Sequence, residues 1–140
     1  MKKLAFAAAA AGAVLYAGTQ HGGTASTTTA AGVGGVSSGT LSGTLSCSGL
    51  ESLWESQGGN PSAAFMAAEI ATAESSGQQY STDRDGNGTV DRGYWQINSI
   101  WPGSTYDPAG NARAAVAISK NGTDWSPWMT YGSGAYQGKC

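Results

Sequence analysis

An alanine-rich run over residues 63–73 is apolar at nearly every position, and it constrains the fold more than any other stretch. A helix that is apolar on all sides has to be surrounded by protein, so the rest of the domain must pack around it. Glu69 and Glu74 are the acidic exceptions in this segment, and a Ser-Ser-Gly sequence at 75–77 ends the apolar pattern. The sequence therefore predicts a buried central helix with a carboxylate at its C-terminal end.

Two further helices and a short sheet are expected beside this central helix. One helix is indicated by three apolar residues that share a helical face, namely Leu50, Leu53 and Trp54. Another begins at the Asp107-Pro108 cap and carries apolar residues at helical spacing. The Asp-Gly-Asn-Gly sequence at 85–88 is typical of a hairpin turn. We therefore expect a mainly helical α+β domain with one small β-hairpin, formed by residues 47–140.

The first 46 residues contain few large apolar side chains beyond the extreme N-terminus. Residues 1–17 combine Met-Lys-Lys with an apolar run of signal-peptide length, which is too short for stable membrane insertion. Residues 18–46 are built mainly from Gly, Thr, Ser and Ala, so we interpret them as a flexible linker. The sequence thus predicts a secreted, extracellular protein.

Cys47 and Cys140 are the only cysteines and bracket the predicted domain. In an exported chain such a pair predicts a disulfide, which would help to stabilise a small domain. The single histidine, His21, lies in the linker, which argues against Ser-His-Asp catalysis and His-based zinc sites in the domain. The formal charge of −2 and the lack of a Lys/Arg cluster outside the N-terminus argue against a nucleic-acid partner. We expect a monomer that uses no metal and no cofactor.

Glu74 is the first candidate catalytic residue. A carboxylate at a helix C-terminus faces the negative end of the helix dipole, and burial also disfavours its charged form. Both effects help a carboxyl group to keep its proton near neutral pH, as a general acid must. The alternative is a glutamate that simply reaches solvent at a helix end. Glu69 is five residues earlier, on another part of the helix surface, and is expected to be a structural hydrogen-bond acceptor.

Asp91 has three possible roles. It could be a solvated strand residue, or the anionic partner of Glu74 in a two-carboxylate glycosidase site. It could also belong to a calcium loop, because the residues from Asp83 to Gly88 match the first half of an EF-hand loop. Position twelve of that loop would be Tyr94, where a bidentate acid is required. We therefore favour a hairpin, with Asp83 and Asp85 facing solvent.

The segment around these carboxylates resembles the active-site region of C-type lysozymes. Glu74-Ser75 ends the helix, and the later sequence Asp-Arg-Gly-Tyr-Trp-Gln-Ile-Asn-Ser-Ile-Trp at 91–101 resembles the strand of that family. The two carboxylates are 17 residues apart, as in the family, which is the type case of this acid-and-carboxylate pair. The resemblance implies a lysozyme-like fold, Glu74 as general acid and Asp91 as nucleophile or charge stabiliser. It also places Gln96 and Asn98 beside the substrate cleft.

Two later segments, residues 107–115 and 121–131, resemble bacterial and phage lysozyme-like domains related to soluble lytic transglycosylases. The resemblance implies a cell-wall-associated enzyme that cleaves the glycan strands of peptidoglycan between N-acetylmuramic acid and N-acetylglucosamine. Hydrolysis by a muramidase and transglycosylation to 1,6-anhydro ends both stay open, as does a wall-binding module without catalysis. Among the aromatic residues, we expect Trp95 and Tyr131 to contact substrate. Trp101, Trp125 and Trp128 could stack on sugars or form the core.

Overall fold

The computed structural model describes residues 41–140, so the predicted signal peptide and most of the predicted linker lie outside the described residues. The described chain forms four helices and a three-stranded antiparallel sheet. The helices are α1 (Cys47–Ser56), α2 (Ala64–Ser75), α3 (Pro108–Ile118) and α4 (Met129–Gly132). The strands are β1 (Thr82–Arg84), β2 (Val90–Arg92) and β3 (Ile97–Asn98), in the spatial order β1-β2-β3. This architecture confirms the expected mainly helical α+β class.

Helix α2 is the central element, as its apolar sequence predicts. Seven of its residues are buried, and α1 and α4 both pack against it. A 3-10 turn leads into the helix, and the side chain of Asn60 caps that turn by accepting a hydrogen bond from the Ser62 N–H. The helix stops where Ser76 and Gly77 adopt positive φ angles of 55° and 72°. A side chain at Gly77 would collide with the carbonyl oxygen of Leu45, so the turn requires glycine.

Four tryptophans fill the centre of the domain. Trp54 of α1 lies between Trp95 and Trp125, with ring centroids 6.3 and 5.5 Å away, and Trp125 contacts Trp128 at 5.4 Å. All four rings are buried, together with the small alanine side chains of α2 and α3. Large aromatic rings therefore supply the core volume that so alanine-rich a set of helices lacks.

The sheet contains one more strand than the expected hairpin. Residues 93–96 form a turn between β2 and β3 rather than a continuous strand. The turn begins at Gly93, whose φ of 77° and close approach to the Asn111 side chain exclude a larger residue. Asn111 of α3 is fully buried, accepts a hydrogen bond from the Trp95 N–H and donates to the Arg92 carbonyl. This buried amide fixes the end of β2, and thus Asp91, relative to α3.

The last residues of the predicted linker contact the domain. Leu45 N–H donates to the Gly77 carbonyl, and Gly43 exchanges hydrogen bonds with Gln79. The Gly43 carbonyl also accepts a 2.8 Å hydrogen bond from the hydroxyl of the buried Tyr94. Burial, with a smaller contribution from Tyr80, raises the pKa of Tyr94 to about 12. Residues 43–45 therefore pack as part of the domain, a few residues before the expected boundary at 47.

The two cysteines form a disulfide, as the sequence predicts. Cys47 and Cys140 lie with their Cα atoms 5.7 Å apart and join the first residue of α1 to the end of the chain. This bond closes almost the whole described domain into one loop. None of the helices in the described part of the chain has both the length and the apolar character that a membrane crossing requires.

Candidate active site

Glu74 lies one residue before the C-terminal end of α2, where the sequence predicts it. Its side chain is half-buried. The neighbouring Ser75 is buried, and its hydroxyl finds a partner by donating to the Ala71 carbonyl one turn earlier. Glu74 is thus presented from the end of a helix that protein surrounds, at the negative end of its dipole.

Thr130 of α4 contacts this carboxylate directly. Its hydroxyl Oγ1 donates a 2.7 Å hydrogen bond to Oε1 of Glu74, and Thr130 is itself half-buried. No sequence pattern in the C-terminal stretch pointed to Thr130, because α4 is only four residues long and 56 residues separate the two partners. The contact could be identified only once α4 was placed against α2.

Asp91 lies on β2 and is 8% exposed. It faces Asp83 across the β1–β2 pair and Asn98 across the β2–β3 pair. The Asn98 amide nitrogen donates a 2.7 Å hydrogen bond to Asp91 Oδ1. This hydrogen bond fixes the orientation of the Asp91 carboxyl group on the strand.

Asp91 is one of three neighbouring carboxylates. Oxygen atoms of Asp83, Asp85 and Asp91 lie within 4.8 Å of one another, near enough to share a metal ion. The expectation that Asp83 and Asp85 both face solvent is correct for the exposed Asp83 but wrong for Asp85, which is partly buried. Asp85 accepts hydrogen bonds from Thr89 and Asn98 because the hairpin folds it back towards β3.

The loop of these carboxylates departs from an EF-hand. Strands rather than helices flank it, and the Asn87 side chain accepts hydrogen bonds from Thr89 inside the turn. The amide of Asn98 bridges Asp85 and Asp91, at 3.0 and 2.7 Å, which offsets part of the repulsion between the two negative charges. The cluster is therefore held together by hydrogen bonds from Thr89 and Asn98.

Gln96 and Asn98, which the resemblance places beside the cleft, are both half-buried and hydrogen-bonded within the protein. Gln96 has a φ of 46°, and its amide nitrogen donates to the carbonyls of Ser81 and Gly93. The Asn98 amide nitrogen donates to the carboxylate cluster, and its oxygen accepts from the Ile100 N–H. These hydrogen bonds fix the positions of both side chains. Direct contacts of Gln96 or Asn98 with substrate stay a prediction.

Trp95 does not have the exposed surface that a sugar-stacking residue needs. Its ring is 0% exposed, and its Nε1 donates a 2.9 Å hydrogen bond to the Ala67 carbonyl of α2. The expected substrate contact is therefore corrected to a core role, because the turn at 93–96 directs this ring inward. Trp125 and Trp128 are likewise buried, at 6% and 5% exposure.

Two aromatic residues keep exposed faces. Tyr131 follows Thr130 on α4, is 38% exposed and stacks on Tyr136 with a centroid distance of 5.3 Å. Its predicted contact with substrate is compatible with this exposure and stays a prediction. Trp101 is 41% exposed. It lines an open apolar groove together with Pro102, Ala114, Ala117 and Ile118.

Comparison with known families identifies the domain. A family model described as "Lysozyme like domain" matches residues 52–130, a range that contains Glu74, Asp91 and Thr130. The chain belongs to the lysozyme-like domain family. Comparison with the curated proteins finds no match. The lysozyme-like domain, together with the mainly helical α+β fold, confirms the resemblance to lysozymes and lytic transglycosylases, a group of lytic enzymes that act on peptidoglycan.

Proposed function

We propose that this lysozyme-like domain cleaves the β-1,4 bond between N-acetylmuramic acid and N-acetylglucosamine in peptidoglycan, with Glu74 as the general acid. One observation carries the proposal: Glu74 is half-buried at the end of the central helix and is held there by the hydroxyl of Thr130. Within the matched family segment, Glu74 also has the position that the resemblance to C-type lysozymes gives to the acid.

In the first step Glu74 transfers its proton to the glycosidic oxygen. The bond between that oxygen and C1 of the muramic acid breaks, and the bonding electrons leave with the protonated oxygen as a hydroxyl group. Positive charge develops on C1 and the ring oxygen of the muramic acid. Glu74 is left as a carboxylate and then serves as the base of the second step.

In a hydrolase, Asp91 stabilises or captures the positive centre, and water then attacks C1 while Glu74 recovers a proton from it. The hydrogen bond that Asp91 Oδ1 accepts from Asn98 supports this role, because it fixes the orientation of the carboxyl group on β2. The product then carries one added water and a reducing N-acetylmuramic acid end.

A lytic transglycosylase is the second candidate. There the 6-hydroxyl of the muramic acid attacks its own C1, Glu74 accepts the hydroxyl proton, and a 1,6-anhydro end forms without water. The contacts of Asp91 with Asp83, Asp85 and Asn98 favour this reaction, because they give Asp91 a structural role within the hairpin. Glu74 would then act without a second carboxylate.

A wall-binding module that has lost catalysis is the candidate from another class. It would need the cleft but not an acid, so a glutamate held by a specific hydrogen bond at the end of α2 supports catalysis instead. The signal peptide expected at residues 1–17 supports secretion and action outside the cell, at the wall. No cofactor is needed for either reaction.

The experiment is digestion of purified peptidoglycan by the oxidised protein, followed by mass spectrometry of the fragments. Cleavage at the muramic acid C1 supports the proposal, and intact glycan strands would contradict it. The variant Asp91→Asn then separates the two reactions, with Asp124→Asn as the control, because Asp124 is also a partly buried carboxylate that accepts hydrogen bonds but lies outside the cluster of Asp83, Asp85 and Asp91. Hydrolysis predicts products with added water and a loss of orders of magnitude in rate for Asp91→Asn. Anhydro products and an active Asp91→Asn variant would instead establish the transglycosylase.

A further inference from the structure

The hydrogen bond between Thr130 and Glu74 joins two separate elements at the proposed catalytic group. The 2.7 Å distance between Thr130 Oγ1 and Glu74 Oε1 is typical of a well-formed hydrogen bond from a hydroxyl group. Both side chains are half-buried, so water competes less for the contact than it does at an open surface. A contact of this kind restricts the orientation of the carboxyl group.

Thr130 is held in place by the residues next to it. Trp128, two residues earlier, is buried, and its Nε1 donates a 2.8 Å hydrogen bond to the Trp95 carbonyl in the core. The N–H groups of Tyr131 and Gly132 return to the Trp128 carbonyl and close the single turn of α4 around Thr130. The hydroxyl is therefore presented from an anchored turn, as a positioning group has to be.

We infer that Thr130 is a positioning residue for the proposed glycosidic cleavage, because its hydroxyl fixes the orientation in which Glu74 offers its proton. The inference rests on the proposed function of Glu74. A glutamate side chain has three rotatable bonds, and a general acid acts only when its oxygen is within about 2.6–3.2 Å of the atom that it protonates. A fixed donor at Oε1 removes much of this rotational freedom before substrate binds.

The direction of the hydrogen bond also indicates which carboxyl oxygen of Glu74 carries the acidic proton. Because Thr130 donates to Oε1, the acidic proton of Glu74 is carried on Oε2 and passes from there to the glycosidic oxygen. Thr130 keeps its own proton throughout, and its hydrogen bond stabilises the carboxylate that the transfer leaves behind. Loss of the hydroxyl should therefore raise the pKa of Glu74 and move the alkaline limb of the activity profile to higher pH.

A purely structural link between α2 and α4 is the alternative, and three variants separate it from positioning. Thr130→Val removes the hydroxyl and keeps the shape, whereas Thr130→Ser keeps the hydroxyl and removes the methyl group. Thr123→Val is the matched control, since Thr123 is exposed and its hydroxyl donates to the Lys120 carbonyl in the loop after α3. Melting temperatures of all variants are measured first, and Thr130→Ala replaces Thr130→Val if the latter does not fold.

The decisive measurement is kcat and KM on soluble peptidoglycan strands across a pH series. Positioning predicts that Thr130→Val lowers kcat about tenfold or more, leaves KM within about twofold and moves the alkaline limb to higher pH. Thr130→Ser and Thr123→Val should both keep kcat within about threefold of wild type. The alkaline limb of their pH profiles should lie at the same pH as in wild type.

Unchanged kcat and pH profile in a folded Thr130→Val protein would overturn the inference. Thr130→Val and Thr130→Ser could instead lose kcat equally, in proportion to the fall in their melting temperatures and without a shift of the alkaline limb of the pH profile. That result would also overturn the inference, in favour of a purely structural link between α2 and α4. Both outcomes leave the proposed function intact if Glu74→Gln is inactive. A wild-type protein without activity would instead contradict the proposed function itself.

Discussion

The backbone N–H of Gly138 donates a 2.8 Å hydrogen bond to Oε1 of Glu69. Glu69 is buried on α2, so this bond satisfies a carboxylate that the apolar helix would otherwise bury at high cost. Glu74, the other acidic residue of the helix, accepts its hydrogen bond from Thr130 of the same C-terminal segment. The last twelve residues therefore support both carboxylates of the central helix, and the disulfide at Cys140 fastens their end to α1.

Loss of the disulfide is expected to destabilise the domain and to loosen this support. A closed loop of about 100 residues is worth about 4.7 kcal/mol in the chain-entropy account, with smaller values common in practice. Reduction, or the double change Cys47→Ser and Cys140→Ser, should lower the melting temperature by several degrees or more. The check is a thermal melt with and without reductant. Two free thiols in the protein purified without reductant would contradict the disulfide.

Trp95 is expected to matter for stability rather than for sugar binding. Its ring is fully buried against Trp54 and Tyr94, and its Nε1 bonds the Ala67 carbonyl. Trp95→Phe should lower the free energy of unfolding by about 1–3 kcal/mol, since it leaves a small cavity and removes the hydrogen bond from Nε1 to the Ala67 carbonyl. Urea unfolding measures this loss, while the KM of the folded variant should match wild type. A raised KM with unchanged stability would restore Trp95 to the substrate site.

Tyr94 is expected to make stability fall in strongly alkaline solution. Its pKa of about 12 in the folded protein exceeds the ordinary value of 10.0 because burial keeps water away from the charged phenolate that ionisation would form. The unfolded chain therefore loses this proton first. The contribution of protonated Tyr94 to the free energy of unfolding is complete below pH 10 and is lost as the pH rises towards 12. This loss amounts to at most about 3 kcal/mol.

Urea unfolding of wild type and Tyr94→Phe from pH 9 to pH 12 isolates this effect. The variant should be slightly less stable at pH 9, because it lacks the hydrogen bond to Gly43, and its stability should fall less steeply above pH 10. Parallel curves for the two proteins would show that Tyr94 does not titrate as described.

The sequence predicts most of the helical framework because its signals are local. The apolar run of α2, the cap at Asp107 and the bracketing cysteines each depend on neighbouring residues or on simple pairing, and the structure confirms them. The inward rotation of Trp95 could not be predicted in this way. It depends on Gly93 packing against Asn111 of α3, a contact between distant parts of the chain.

The candidate site shows the same division between local and distant signals. The helix end at Glu74 and the position of Asp91 beside a tight turn follow from local patterns and from a recognisable family segment. The hydrogen bond from Thr130 and the return of Asp85 towards Asn98 are tertiary contacts made by short polar side chains. Such contacts have no periodicity and no spacing rule, so the sequence contains no readable signal for them.

The central claim is that Glu74 supplies the proton for cleavage, and the rate of peptidoglycan cleavage by Glu74→Gln tests it most directly. Glutamine keeps the shape of the side chain and an oxygen for Thr130, but it has no acidic proton. The rate should fall by about 10²–10⁴-fold while the melting temperature and the binding of wall glycan stay close to wild type. The exposed Glu55→Gln on α1 is the control and should keep the full rate. A folded Glu74→Gln protein that retains more than about a tenth of the wild-type rate would contradict the account.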